Sequence, residues 1–242
     1  PRRAAGVMYM LGRTLAIGVR GYIGAFPASL IIWGDLDPAH LATAVLVLTA
    51  VGILYTILGG IGTVIWTDFI QTIVFVIAAA AALYLLLDRI PIGVGELTSA
   101  LADDHKLNLL DFRLDLTSNY TVWACLIAFT LLTLGSYGTD QDMVQRMLTC
   151  KSPLAGSRSA ILGVAVGIPV SALFLVIGLL LYIFYQRPDL MADAAPGYEI
   201  YDSRKIFLSF ILREMPAGLS GLMIAGLFAA GLSSVNSTLN AM

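Results

Sequence analysis

Six long apolar stretches alternate with shorter polar ones, near residues 7–33, 40–59, 62–87, 119–148, 156–185 and 216–240. Each supplies the roughly 20 residues a helix needs to cross a hydrocarbon core. Within each, apolar residues run on continuously instead of alternating with period two, so the pattern predicts membrane-spanning α-helices and not a β-barrel. The expected fold class is all-α, a polytopic transmembrane bundle forming one domain over 1–242. Composition agrees: the chain is 58% hydrophobic and 12% charged, with mean hydropathy +0.86, whereas soluble domains carry roughly 25% charged residues. The lipid bilayer is therefore an expected partner, and nucleic acid is not. Cys125 falls inside an expected helix and Cys150 at a helix end, which implies no disulfide framework. The chain opens Pro1-Arg2-Arg3 and stops close to its last helix, so it reads as a piece of a longer polypeptide, missing helices at both ends.

Basic residues in short loops set orientation. Arg2 and Arg3 precede the first helix, and Arg146, Lys151 and Arg158 surround the turn between the fourth and fifth, whereas the loop Gly34–His40 is acidic. Six crossings satisfy this with the N-terminal end and the 146–158 turn cytoplasmic, in a multi-pass protein of the cell membrane. Segments 88–118 and 186–215 then lie outside, the first read as a solvated charged loop and the second as an outer gate or a surface loop.

Polar residues inside the apolar stretches carry the candidate chemistry. Arg20 sits deep in the first helix, where it either meets a substrate carboxylate or forms an ion pair or carbonyl bonds within the bundle. Arg13, nearer the cytoplasmic end, is expected to snorkel. The second and third helices are joined by a tight glycine turn, Leu58-Gly-Gly-Ile-Gly62. Asp68 follows about 9 Å along the third helix and shares a face with Gln71 and Thr72. An intramembrane carboxylate is a functional candidate or a structural hydrogen-bonding group. The fourth stretch is too long for a straight span and contains Thr133-Leu-Gly-Ser-Tyr-Gly-Thr-Asp-Gln141. A discontinuity is expected between Thr133 and Gly138, with Thr-Asp capping a new half-helix; a plain kink is the alternative. The last helix is dense in small and hydroxylated residues. Ala230, Ser233, Ser234 and Ser237 fall at i, i+3, i+4 and i+7 on one face. Such neutral oxygens either replace the hydration shell of a hard cation or serve close helix packing.

Three motifs together resemble the sodium:solute symporter family. Gly59-Gly60 with Val64-Ile-Trp-Thr-Asp-Phe-Ile-Gln-Thr72 is similar to its GG-x(3)-VI[YW]TD-x-xQ segment. Gly138-Thr-Asp-Gln-Asp-Met-Val-Gln-Arg146 is similar to its TDQ-x(3)-QR segment, and Ala230-Gly-Leu-Ser-Ser234 to its A-x-x-S-S sodium motif, followed by Asn240. The resemblance implies a LeuT-like fold of two inverted five-helix repeats. The six helices here would be the third to eighth of the ten core helices.

It also implies Na⁺-coupled symport of a small polar solute such as a sugar, carboxylate, amino acid or vitamin, and no enzyme activity. A passive channel and a membrane sensor keeping the fold are the alternatives. By the same resemblance, the Ala230 carbonyl, Ser233 and Ser234 are sodium ligands. Thr133, Ser136 and Tyr137 contact or gate the solute, with Ser136 standing where sugar-transporting relatives have an aromatic gate. Arg20 lies near a carboxylate-binding arginine of sialic-acid-transporting relatives. Asp68, Ser237 and Asn236 would form a second cation site, Asn236 replacing a hydroxyl residue.

Overall fold

The computed structural model describes residues 2–108, 110–115, 117–118, 121–191 and 205–241; within the helices a few side chains, those of Arg20, Ser234 and Asn240 among them, lie outside the description. All regular structure among the described residues is helical. The helices are α1 (Arg2–Ile32), α2 (Pro38–Arg89), α3 (Val94–Asp103), α4 (Val122–Gly138), α5 (Gln141–Leu148), α6 (Pro153–Gln186), α7 (Pro188–Met191), α8 (Ile206–Arg213) and α9 (Ala217–Ala241). Four spans among the described residues are long and apolar enough to cross a membrane: Pro38–Gly60, Gly62–Arg89, Pro153–Gln186 and Ala217–Thr238. The bent pair α4 and α5, counted as one broken span, would make a fifth. The stretch expected at 7–33 forms the single helix α1, with Arg13 and Arg20 interrupting its apolarity. Large apolar side chains such as Leu58, Ile57 and Leu15 are exposed along the helices, as befits faces meant for lipid rather than water.

The chain divides into two compact units, Pro1–Ala82 with Phe207–Met242, and Leu83–Ile206. In the first unit, α1 packs along α9. A Cβ placed on Gly231 would lie 2.8 Å from the Gly24 Cα, so these two backbones touch directly. Around the crossing, Ala25, Ala28 and Ala44 form a small buried core covered by Val45, Leu48 and Phe228. Gly60 interrupts α2 with φ 60° and ψ −174°, a conformation essentially confined to glycine. Two contacts show that the chain folds back there. Gly52 lies against Val235 and Asn236 of α9, and Phe75 lies against Gly226. In an unbroken helix, residues 52 and 75 would be about 34 Å apart, yet their partners on α9 are separated by only about 15 Å. The two halves of α2 are therefore a hairpin, the first running parallel to α9 and the second antiparallel.

In the second unit, α6 packs against α3, α5 and α7. The segment expected as a solvated loop, 88–118, contains α3, so that reading is corrected. Its helical spacing buries Ala100 and Leu101, and burial of that stripe outweighs the polar composition around it. The end of α3 is tied to the end of α6. Tyr182 donates to the Asp104 carboxylate at 3.2 Å, Arg187 pairs with both Asp104 and Asp189, and the Lys106 ammonium lies 4.6 Å above the Tyr182 ring. Asp189 holds its carboxyl below the usual carboxylate range through hydrogen bonds from the Arg187 guanidinium. Tyr198 and Tyr201, read as parts of an outer gate or loop, lie outside the described residues.

The discontinuity expected between Thr133 and Gly138 sits elsewhere. Helix α4 continues to Gly138, and the break falls at Thr139–Asp140, where the axis turns by 54° into α5. The Gly135 carbonyl explains the displacement. It accepts from the backbone N–H of Thr139 and Asp140, at 3.0 and 3.2 Å, and from the Thr139 hydroxyl at 2.8 Å, so the helix is closed off after the second glycine. Capping of the next helix follows the sequence expectation. The Asp140 carboxylate accepts the Asp142 N–H at 3.1 Å, and the buried Asp142 pairs with Arg146 one turn on at 3.5 Å.

Candidate functional site

The small-residue helix α9 carries the row of candidate oxygens. Ser233 is half-buried and Ala230 exposed, while Asn236, Ser237 and Thr238 are 5%, 8% and 0% exposed. Burial thus deepens from Ala230 to Thr238. The Ser234 side chain lies outside the described residues. Since Gly231 allows α1 to touch backbone to backbone, the row has a rigid neighbour one residue from Ala230 and two from Ser233.

The hairpin of α2 brings Asp68, half-buried, to this row. Its level follows from each of the two contacts with α9. Counting seven residues from Phe75 to Asp68, and seven from its partner Gly226, arrives at Ser233. Counting eight residues from Gly60 up either arm sets Asp68 level with Gly52, whose partner is Asn236. At ~1.5 Å per residue, both routes put Asp68 abreast of the segment Ser233–Asn236. The two counts reach Ser233 and Asn236, and Ser237 is the next residue along α9.

Asn236 occupies space that only a glycine leaves. Its Oδ1 is 2.7 Å from where a Cβ on Gly52 would stand. Among the described residues that oxygen is buried without a hydrogen-bond partner, as are Thr56 Oγ1 and Gln71 Oε1 on the two arms of α2. Thr56 differs from several helical threonines of the chain. Thr14, Thr43, Thr67, Thr72 and Thr130 each donate to the carbonyl four residues back, at 2.6–2.9 Å, and Thr56 makes no such bond. Sequence reasoning missed Thr56, because a single threonine in an apolar helix reads as back-bonded. It gave Gln71 no role beyond sharing the face of Asp68.

Thr133, Ser136 and Tyr137 share one face of α4 in the second unit. Thr133 and Tyr137 line an open, largely apolar groove of about 620 Å³ with Ala160, Ile161 and Val164 of α6, and Ser136 is not among its lining residues. Arg20 is in α1, one turn before Gly24, with its side chain outside the described residues. Arg13 runs back toward the N-terminal end, its Nε donating to the Tyr9 hydroxyl at 3.2 Å, and is 8% exposed.

Apolar spans, a glycine hairpin, a capped helix break and an oxygen-lined helix define a multi-pass, all-helical membrane protein. Residues 36–242 match the sodium:solute symporter family, and the chain belongs to that family. It is 29% identical to the sodium/sialic acid symporter SiaT of Proteus mirabilis, over 86% of this chain and 40% of that protein. It is 27% identical to the human sodium/iodide cotransporter, over 98% of this chain and 36% of that protein. The solved substrate-bound, outward-open state of a Na⁺-coupled sialic acid symporter, described as revealing a novel Na⁺ site, matches with a TM-score of 0.80 and 27% identity, over 98% of this chain and 48% of that one. The fold is accordingly LeuT-like. The chain spans less than half the length of each of these relatives.

Proposed function

We propose that this protein is a secondary active transporter coupling inward Na⁺ movement to symport of a small polar solute by alternating access. The observation that carries the reading is the run of neutral oxygens on α9 lying abreast of the Asp68 carboxylate. A hard cation takes oxygen ligands, and a carboxylate at membrane depth calls for compensating charge. In this reading the Ala230 carbonyl, Ser233 and Ser234 hold Na⁺. Asp68, Ser237 and Asn236 hold a second cation deeper along the same helix. Thr133, Ser136 and Tyr137 face the solute.

The named relatives carry sialic acid and iodide, both anions. Arg20 is the cationic residue of α1 that we assign to an anionic group of the solute. Arg2, Arg3 and the 146–158 turn face the cytoplasm in a cell-membrane protein.

The test is solute-dependent ²²Na⁺ uptake by the full-length protein in proteoliposomes, screened across sugars, carboxylates and amino acids. A missing bond to a charged group is worth roughly 1.5–3 kcal/mol. Ser233→Ala and Ser234→Ala should therefore each raise the Na⁺ concentration for half-maximal uptake about tenfold or more. Uptake that neither saturates nor responds to Na⁺ would point to a passive pore. An unchanged Na⁺ dependence in both variants would reduce the hydroxyls to packing.

A further inference from the structure

Gln71 presents a buried carbonyl oxygen for which the described residues supply no donor. Its Oε1 is screened from solvent and without a hydrogen-bond partner. Most buried side-chain oxygens in folded proteins are paired, so each exception asks for a ligand, a water or an ion.

The position of Gln71 narrows the choice. In the second arm of α2, Asp68, Gln71 and Phe75 fall at i, i+3 and i+7 and form one stripe. That stripe meets α9, because a Cβ on Gly226 would lie 3.3 Å from the Phe75 Cα and 2.9 Å from its ring. Since the two helices run antiparallel, one turn from Phe75 toward Gly60 reaches Gln71, and one turn onward from Gly226 reaches Ala230. Gln71 is therefore abreast of the first member of the oxygen row, about 5 Å along its helix from Asp68.

A carboxamide oxygen is a hard, neutral ligand of the kind that Na⁺ and Ca²⁺ accept from Asn and Gln. With no hydrogen bond to break, it is free to turn to an ion. We infer that Gln71 supplies an oxygen ligand, from α2, to the Na⁺ held by Ala230 and Ser233 of α9. This rests on the reading of that row as a sodium site and adds a second helix to it.

The experiment compares wild type, Gln71→Leu and Gln71→Glu in the full-length protein, reconstituted in proteoliposomes. It measures the Na⁺ concentration for half-maximal uptake at saturating solute, the solute KM at saturating Na⁺, and the thermal stability of each purified variant. Removal of the oxygen in Gln71→Leu should raise the Na⁺ requirement about tenfold while leaving the solute KM at saturating Na⁺ unchanged. Gln71→Glu keeps an oxygen at the same reach and adds charge, so its Na⁺ requirement should equal or fall below that of wild type. It also keeps the test open should the leucine variant fail to fold.

A structural oxygen predicts the opposite pattern: lower thermal stability in both variants with an unmoved Na⁺ dependence, and that result overturns the inference. A rise in solute KM without a change in Na⁺ dependence also overturns it, by making Gln71 a solute ligand. Should wild-type uptake prove independent of Na⁺, the sodium reading of the whole row falls first, and the Gln71 ligand with it. Loss at Gln71 alone, with Ser233→Ala still shifting Na⁺ dependence, leaves the row standing.

Discussion

Replacing Gly231 by alanine tests the backbone contact that holds α1 against the oxygen-bearing helix. The new methyl carbon would stand 2.8 Å from the Gly24 Cα, whereas carbon pairs settle at about 3.5–4.0 Å. The obstructing atom is main chain, so no rotamer change relieves it, and the two helices must separate locally by about 1 Å. Overpacking of this kind costs about 1–3 kcal/mol, offset by at most about 1 kcal/mol from the better helix propensity of alanine.

The partner substitution should be milder. A Cβ on Gly24 meets the Gly231 Cα at 3.1 Å, and one on Gly21 meets Val45 at an ordinary 3.5 Å. Gly218 and Gly221, in the same helix as Gly231, have nothing within 4 Å of an added Cβ and serve as controls. Thermal unfolding of the purified variants in one detergent should therefore rank Gly231→Ala lowest, then Gly24→Ala, with Gly21→Ala, Gly218→Ala and Gly221→Ala at or above wild type. If Gly231→Ala proves as benign as Gly221→Ala, the close backbone crossing is wrong, and with it the rigid neighbour ascribed to the oxygen row.

Three further outcomes follow from other elements. Gly60→Ala forces a side chain into φ 60°, ψ −174° and should lower stability by about 1–3 kcal/mol; Gly62→Ala, with open space around it, should be tolerated, and equal effects at the two sites would contradict the hairpin geometry. Asp140→Ala removes the cap of α5 at a cost of about 1 kcal/mol, while Asp140→Asn retains it; faster amide exchange over 141–144 in the alanine variant alone checks this. The Arg113 guanidinium and backbone N–H hold the Asp111 carboxyl down to about 2; its folded value thus lies below its ordinary one, and the pairing is present above about pH 4 and is lost as pH falls toward about 2. In a variant whose only tryptophan is Trp123, which bonds the neighbouring Phe112 carbonyl at 3.1 Å, emission should shift across that interval, and an identical shift in Asp111→Asn would refute the linkage.

Much of this architecture was readable because lipid imposes a simple requirement: every backbone group must be satisfied within the helix and most side chains must be apolar. That rule marked the spans, the turn at Gly60 and the exceptional Asp68, and hydroxyl spacing marked the row on α9. Details decided by single hydrogen bonds were less legible. Gly135 and Gly138 looked like the point of rupture, yet the Gly135 carbonyl takes three donors and carries the break to Thr139. The helix α3 was hidden because charges flank its short apolar stripe, and Gln71 and Thr56 because solvent exclusion is a property of packing, which sequence spacing leaves undetermined.

The reversal at Gly60 also bears on how the protein is made. Its two arms, Pro38–Gly60 and Gly62–Arg89, are separated by a connection too short for one arm to cross the bilayer and settle before the other follows. They are suited to enter the membrane together, as one hairpin, with the polar side chains of Thr56, Asp68 and Gln71 brought in by the apolar residues around them. Until α9 is synthesised, more than 120 residues after Arg89, the hairpin lacks the helix that Gly52 and Phe75 meet in the finished fold. An insertion intermediate ending before residue 217 should therefore be the stage at which the hairpin is most exposed to chaperones and quality-control proteases.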